Sequence, residues 1–207
     1  MKGMAMTGIA AGIAALGASL GAHASMLMIY SNPGNEGLGS FTGSMEWVYP
    51  VDGSDCGQLT VTLTNTSEVT NGGFLTGVGF QAVEGIEVTY VATGDAWSQL
   101  TDFSAAPYGT FDWGAALGGN FLGGGSPKAG IAVGETREFV FEVCADAALL
   151  AVLDADDFFE DDFGYGFVTR FKGFNDGGSD KVTGYVPAPG AVALLALAGL
   201  AQRRRRG

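Results

Sequence analysis

The chain has 207 residues, 47 % of them apolar and 35 of them glycine, and its 22 Asp and Glu outweigh ten Lys and Arg to leave a net charge of −12. Such an acidic surface repels nucleic-acid phosphates and anionic lipids, which excludes a nucleic-acid partner. The single histidine, His23, lies near the N-terminus, so residues 25–186 contain none, and His-based triads, His metal sites and His acid–base catalysis are excluded there.

In chain order, Lys2 is followed by an apolar stretch rich in Gly and Ala and then by Ala22-His23-Ala24 before Ser25. A basic start, an apolar middle and a small-x-small site predict a secretory signal peptide over residues 1–24, helical in its apolar part and cut between Ala24 and Ser25. The alternative is a retained membrane helix. Early strands are expected at 26–30 and 45–49. From Gln58 to Thr64 apolar and polar residues alternate strictly, predicting a half-buried strand with Leu59, Val61 and Leu63 inward. Asn71-Gly72-Gly73 marks a turn before a strand at 74–83, where Gly77 and Gly79 signal a bulge or a close approach. Glu84-Gly85 turns the chain into a strand at 86–91.

Residues 93–128 hold Trp97, Phe103, Tyr108, Phe111, Trp113 and Phe121 among many glycines. They read as an ordered crossover loop with a short strand or helical turn near 112–117. A strand at 138–143 places Phe139, Phe141 and Val143 on one face. Residues 145–159 contain no glycine and carry Leu149, Leu150, Val152 and Leu153, the pattern of one short helix. Late strands are expected at 167–171 and 181–186. Short alternating strands with Gly-rich turns predict an all-β domain over 25–186, an antiparallel β-sandwich of jelly-roll or immunoglobulin-like type. With five Lys and Arg against all 22 acids, that domain carries a net charge of −17.

The chain closes on three zones. Pro187 and Pro189 bracket Ala188, residues 190–201 are continuously apolar, and Arg203, Arg204, Arg205 and Arg206 follow. Twelve residues of helix extend roughly 18 Å, short of a hydrocarbon core of about 30 Å. The arginines are expected to stay cytoplasmic as stop charges. A short apolar helix between a small-residue motif and a basic end predicts a transient membrane anchor removed by an enzyme. The alternatives are a basic tail or a core helix, and a core helix does not account for four consecutive arginines.

Cys56 and Cys144, both in the exported portion, are expected to form a disulfide. Carboxylates supply the remaining chemistry. Asp154, Asp156, Asp157, Glu160, Asp161 and Asp162 fall within nine positions and offer hard oxygens for Ca²⁺, the one cofactor the sequence suggests. They lack the central glycine and spacing of an EF-hand loop, and a solvated acidic loop is the alternative. A glycoside hydrolase with paired carboxylates needs only two acids at a set distance, but no motif selects them. Trp47, Trp97 and Trp113 could form a sugar-stacking platform, or else pack the core. Arg170 and Lys172 form the basic cluster of the domain and are expected to pair with nearby aspartates rather than bind a partner.

The stretch Val186, Pro187, Ala188, Pro189, Gly190, with the apolar run and arginine block after it, resembles the PEP-CTERM sorting domain of exported bacterial proteins, in a VPAPG form like those of planctomycete-type bacteria; Ala188 stands where the pattern has Glu. The stretches LTVTLTNTS (59–67), GGGSPKAGIAVGE (123–135) and RFKGFNDGGSDKV (170–182) are similar to proteins that carry such tails. The resemblance implies passage through the general secretion machinery and processing by an exosortase, a membrane transpeptidase. The expected product is a non-enzymatic protein of the cell surface or extracellular matrix, associated with exopolysaccharide. A carbohydrate-binding module is the second expectation and a carboxylate hydrolase the third.

Overall fold

Strict alternation of apolar and polar side chains sends every second residue to one side of a pleated strand, so a run of such segments can bury one common face. The computed structural model describes residues 22–50, 54–91, 96–122, 125–159 and 165–187. It is all-β. Eleven strands run as β1 (His23–Ser31), β2 (Phe41–Tyr49), β3 (Cys56–Asn65), β4 (Gly72–Phe80), β5 (Glu87–Tyr90), β6 (Trp97–Ser104), β7 (Thr110–Leu117), β8 (Ile131–Ala132), β9 (Thr136–Cys144), β10 (Phe167–Phe174) and β11 (Ser179–Tyr185). The hydrogen-bonded order is β5-β9-β3-β2-β1-β11-β10-β4-β7-β6, with β8 added to β4, and every pairing is antiparallel. The path curls over one main core, and rings from distant strands meet there: Phe80 on Phe141 at 5.1 Å and Phe41 on Phe167 at 5.7 Å between centroids.

Leu59, Val61 and Leu63 of β3 and Phe139, Phe141 and Val143 of β9 all point into this core, as their alternation predicts. In β4 both expectations for the glycines hold. The register against β10 shifts between Arg170 and Phe171, which pair with Gly77 and Leu75 and leave Thr76 as the extra residue. That bulge resets the phase, so Leu75, Val78 and Phe80 all reach the main core. Gly77 and Gly79 then lie beneath a second, smaller core on the opposite side. A Cβ at Gly79 would stand 2.3 Å from Phe103 Cζ, and one at Gly77 3.0 Å from Phe121.

The expected crossover loop at 93–128 is instead largely a hairpin. β6 and β7 pair from Trp97↔Leu117 to Ser104↔Thr110. Its aromatics divide between the two cores: Trp97 enters the main one, while Phe111 and Phe121 join Leu100 and Val168 in the second. Polar residues interrupt the period in β6, so the alternation that marks a strand is missing there. The expected helix over 145–159 is also broken. One α-helical turn, α1 (Ala147–Leu150), is capped by the Asp146 side chain, which accepts from Ala148 N at 2.8 Å. The chain then extends through Leu153 and Asp154 before a 3₁₀ turn at Ala155–Phe158.

The break serves the edge of β1. This strand pairs with β2 over eight positions but with β11 only at Tyr30 and Ser31. Its first half would otherwise present open backbone. The 153–158 segment lies along it: Ala155 N donates to Ser25 Oγ at 2.8 Å, and His23 Nε2 lies 2.9 Å from Leu153 O. A continuous helix would have used these backbone groups itself.

At the other end of the path, the terminal strands β5 and β6 approach each other without a backbone ladder. The Gln99 amide from β6 supplies the missing pair. Its Oε1 accepts from Tyr90 N and its Nε2 donates to Val88 O, both at 2.8 Å. Gln99→Ala is expected to cost about 1–2 kcal/mol, because it leaves a strand N–H and C=O without partners. Hydrogen exchange should accelerate at the Tyr90 amide and stay unchanged at Val61 in mid-sheet.

Candidate functional site

A concave feature lies on the outer face of the sheet formed by β2, β3 and β9. It is an open cleft of about 430 Å³. Val48, Gln58 and Glu142 form one cross-strand row, since Val48 pairs with Gln58 and Gln58 with Glu142. Cys56, Ser54, Pro50, Val91 and Val140 complete much of the wall. Outward positions of these strands are rich in hydroxyls, with Thr42, Thr64 and Thr136 in a second cross-strand row and Thr64 Oγ1 bonded to Thr136 Oγ1 at 2.7 Å.

Cys56 and Cys144 face each other across β3 and β9 as a register pair with Cα atoms 4.0 Å apart, and they are joined as the expected disulfide. The Glu142 carboxylate lies within 4.8 Å of both sulfurs. Three such groups would suit a soft divalent ion only as thiolates, and the disulfide removes both. Among the described residues no other set of three Cys, His, Asp or Glu converges on a point.

The acidic run does not gather its described members. Asp157 Oδ2 accepts from Asp154 N at 2.7 Å, Asp154 Oδ1 lies 3.2 Å from His23 Nε2, and Asp156 is exposed. These are contacts of a loop start and of the β1 edge. Glu160, Asp161 and Asp162 lie outside the described residues.

The tryptophan platform is corrected. Trp47 has no exposed surface and packs at a tilt against Phe158 at 5.3 Å between centroids, and Trp97 is 3 % exposed against Phe139 at 4.8 Å. Trp113 is partly buried against the same core. Large flat side chains at inward strand positions supply most of the core's area, and here that demand takes the rings a sugar would need. The aspartate pairing expected for Arg170 and Lys172 also fails. Neither makes an ion pair with a described residue, and the nearby Asp176 accepts from Gly178 N in its own turn.

The signals at the two ends are placed in part. Ala24 and Ser25 sit inside β1, opposite Val48 and Trp47. Removal of residues 1–24 would therefore delete the His23–Tyr49 and Ala24–Val48 pairs while keeping the Ser25 hydrogen bond. Val186 and Pro187 follow β11, while Ala188, Pro189, Gly190 and the block from Arg203 to Arg206 lie outside the described residues. Among the described residues no helix is long and apolar enough to cross a membrane.

The three internal stretches singled out in the sequence converge in space. Asn65 Nδ2 donates to Ile131 O at 2.9 Å, Gly134 N donates to Asn65 O at 2.8 Å, and Gly173 packs on Pro127. They build a joint between β3, β4, β8 and β10 in which the Asn65 amide is buried. Asp180 was not singled out at all. It is 2 % exposed, and its carboxylate accepts from Glu36 N, Leu38 N and Gly39 N at 2.9, 2.9 and 3.0 Å. Only its place in an Asp-Gly-Gly-Ser-Asp turn region marked it in the sequence, and such residues read as turn chemistry. Comparison of the chain with family models, with curated proteins and with solved structures finds no significant match to any of them.

Proposed function

We propose that this chain is a non-enzymatic exported protein, displayed at the cell surface or released into the extracellular matrix in association with exopolysaccharide. In this reading, residues 1–24 direct export through the general secretion machinery. Residues 187–207 hold the protein transiently in the membrane until an exosortase-type transpeptidase removes them. The body between is read as an antiparallel sandwich of jelly-roll or immunoglobulin-like type, its halves being β5-β9-β3-β2-β1 and β11-β10-β4-β7-β6. The observation that carries the reading is the Cys56–Cys144 disulfide, because such bonds form and persist in oxidising compartments outside the cytosol. The strongly acidic body favours solubility there and disfavours adhesion to anionic lipid.

Intact-mass measurement on protein from its native host tests this. The expected species starts at Ser25, ends near Gly190 and is lighter by two hydrogens than the reduced chain. Finding residues 203–207 still attached would overturn the removable anchor. A carbohydrate-binding role is a second reading. The cleft lined by Gln58 and Glu142 favours it, because the buried tryptophans cannot serve.

A further inference from the structure

A protein this acidic should neutralise its few cations easily. Five Lys and Arg fall among the described residues, and three of them, Arg170, Lys172 and Lys181, sit together on the outer side of β10 and β11. Arg170 pairs with Lys181 across the strands, and Lys172 pairs with Ser179. None of the three forms an ion pair with a described residue. Burial and then the neighbouring guanidinium hold both Lys172 and Lys181 below the ordinary lysine range, and burial alone lowers Arg170. Three like charges have been brought together, and no described carboxylate lies within ion-pair distance of them.

The alternation of β11 explains how. Asp180 turns inward, where three backbone N–H groups consume its carboxylate. Lys181, the next residue, turns outward and donates to the Ala106 carbonyl. A recess of about 150 Å³ remains, lined by Asn35, Glu36, Pro107, Arg170, Ser179, Asp180 and Lys181. The donors of Arg170 are not used up by the protein: Nη2 makes one 3.4 Å bond to Ser179 Oγ, and Nε is buried without a partner. A buried guanidinium N–H left unmade is costly, and most proteins avoid it.

We propose that this recess is a binding site for a small monoanionic carboxylate that carries neighbouring hydroxyls, the chemistry of a hydroxy acid or sugar acid. Size and charge select that class. Sites for drug-sized ligands measure roughly 300–1,000 Å³, so this recess takes one functional group and the few atoms next to it. Arg170 and Lys181 in the lining are matched by Glu36 and Asp180, and Lys172, beside Arg170 but outside the lining, leaves one positive charge in the neighbourhood, which favours a monoanion over a phosphate dianion. The planar guanidinium matches a carboxylate. Glu36, whose Oε1 accepts from Asn35 Nδ2, together with Asn35 and Ser179 gives hydroxyls both acceptors and donors at the rim. The site is independent of export and processing, and the test is made on the folded chain itself.

Chemical-shift titration with galacturonate, glucose and inorganic phosphate tests the proposal. Galacturonate is expected to shift the amides of Arg170, Ser179 and Lys181 in a saturable way, and glucose to shift none of them. Arg170→Gln combined with Lys181→Gln should weaken galacturonate at least about tenfold, the loss expected for a charge-assisted contact. Lys128→Gln, away from the recess, should leave it unchanged. If the double variant loses its folded spectrum, Lys181→Gln carries the test alone, since its side chain is partly exposed and its loss should weaken binding severalfold. Equal responses to galacturonate and glucose, phosphate binding as tightly as galacturonate, or unaltered affinity in the folded variants would each overturn it.

Discussion

Replacing both Cys56 and Cys144 by alanine is expected to destabilise the protein by about 4.5 kcal/mol, the chain-entropy value for a bond across a sequence separation of 88. For a domain of this size that corresponds to a fall in melting temperature of roughly 10–15 °C. The bond joins the ends of β3 and β9 where they reach Glu87 of β5, the last strand on that side of the path. Without it the unfolded chain regains the freedom that the crosslink removes, while the folded ladder stays intact. The loss should therefore appear as a lower urea midpoint with a folded spectrum little changed. A shift of less than about 1 kcal/mol would show that β3–β9 pairing already restrains the unfolded ensemble.

Asp180→Ala is expected to be nearly as damaging, at about 3–5 kcal/mol, for an unrelated reason. The carboxylate is the shared acceptor for three backbone N–H groups in the connection between β1 and β2. That connection approaches so closely that a Cβ on Gly34 would stand 2.2 Å from Asp180 Oδ2. Alanine leaves all three donors without a partner, and the gap is too confined to be refilled without rearrangement. Asp180→Asn keeps the shape and one acceptor oxygen. Its amide must turn an NH₂ toward either Glu36 N or the Leu38 and Gly39 pair, so a smaller loss of about 1–3 kcal/mol is expected. Hydrogen exchange separates a local from a global effect: the amides of Glu36, Leu38 and Gly39 should accelerate first in either variant. Equal stability of the alanine variant and the parent would mean that water replaces the carboxylate.

The contrast between Asp180 and Lys181 also marks how far the sequence could be read. Both lie in a segment whose Asp, Gly and Ser residues signal a turn, and nothing local says that one carboxylate will serve a loop more than 140 residues away. The unpaired cations were hidden for the same reason. Seen in the sequence, Arg170 and Lys172 stand close to Asp176 and Asp180, and pairing is the natural expectation; the strand pleat sends Asp180 to the opposite side from Lys181. The tryptophans misled in the reverse direction, because a sugar platform and a core anchor draw on the same residue type.

What the sequence determined by itself was whatever depends on local period and on counting: the all-β class, the inward faces of β3 and β9, the turns at Asn71 and Gly85, the disulfide from a lone pair of cysteines, and an acidic domain without histidine in residues 25–186. Each follows from near-neighbour geometry or composition. Tertiary structure alone decided the β6–β7 hairpin, the broken helix along the β1 edge, the Gln99 closure, the buried Asp180 and the basic recess. These depend on which distant backbone lies next to a given side chain, and a two-residue period carries no information about that.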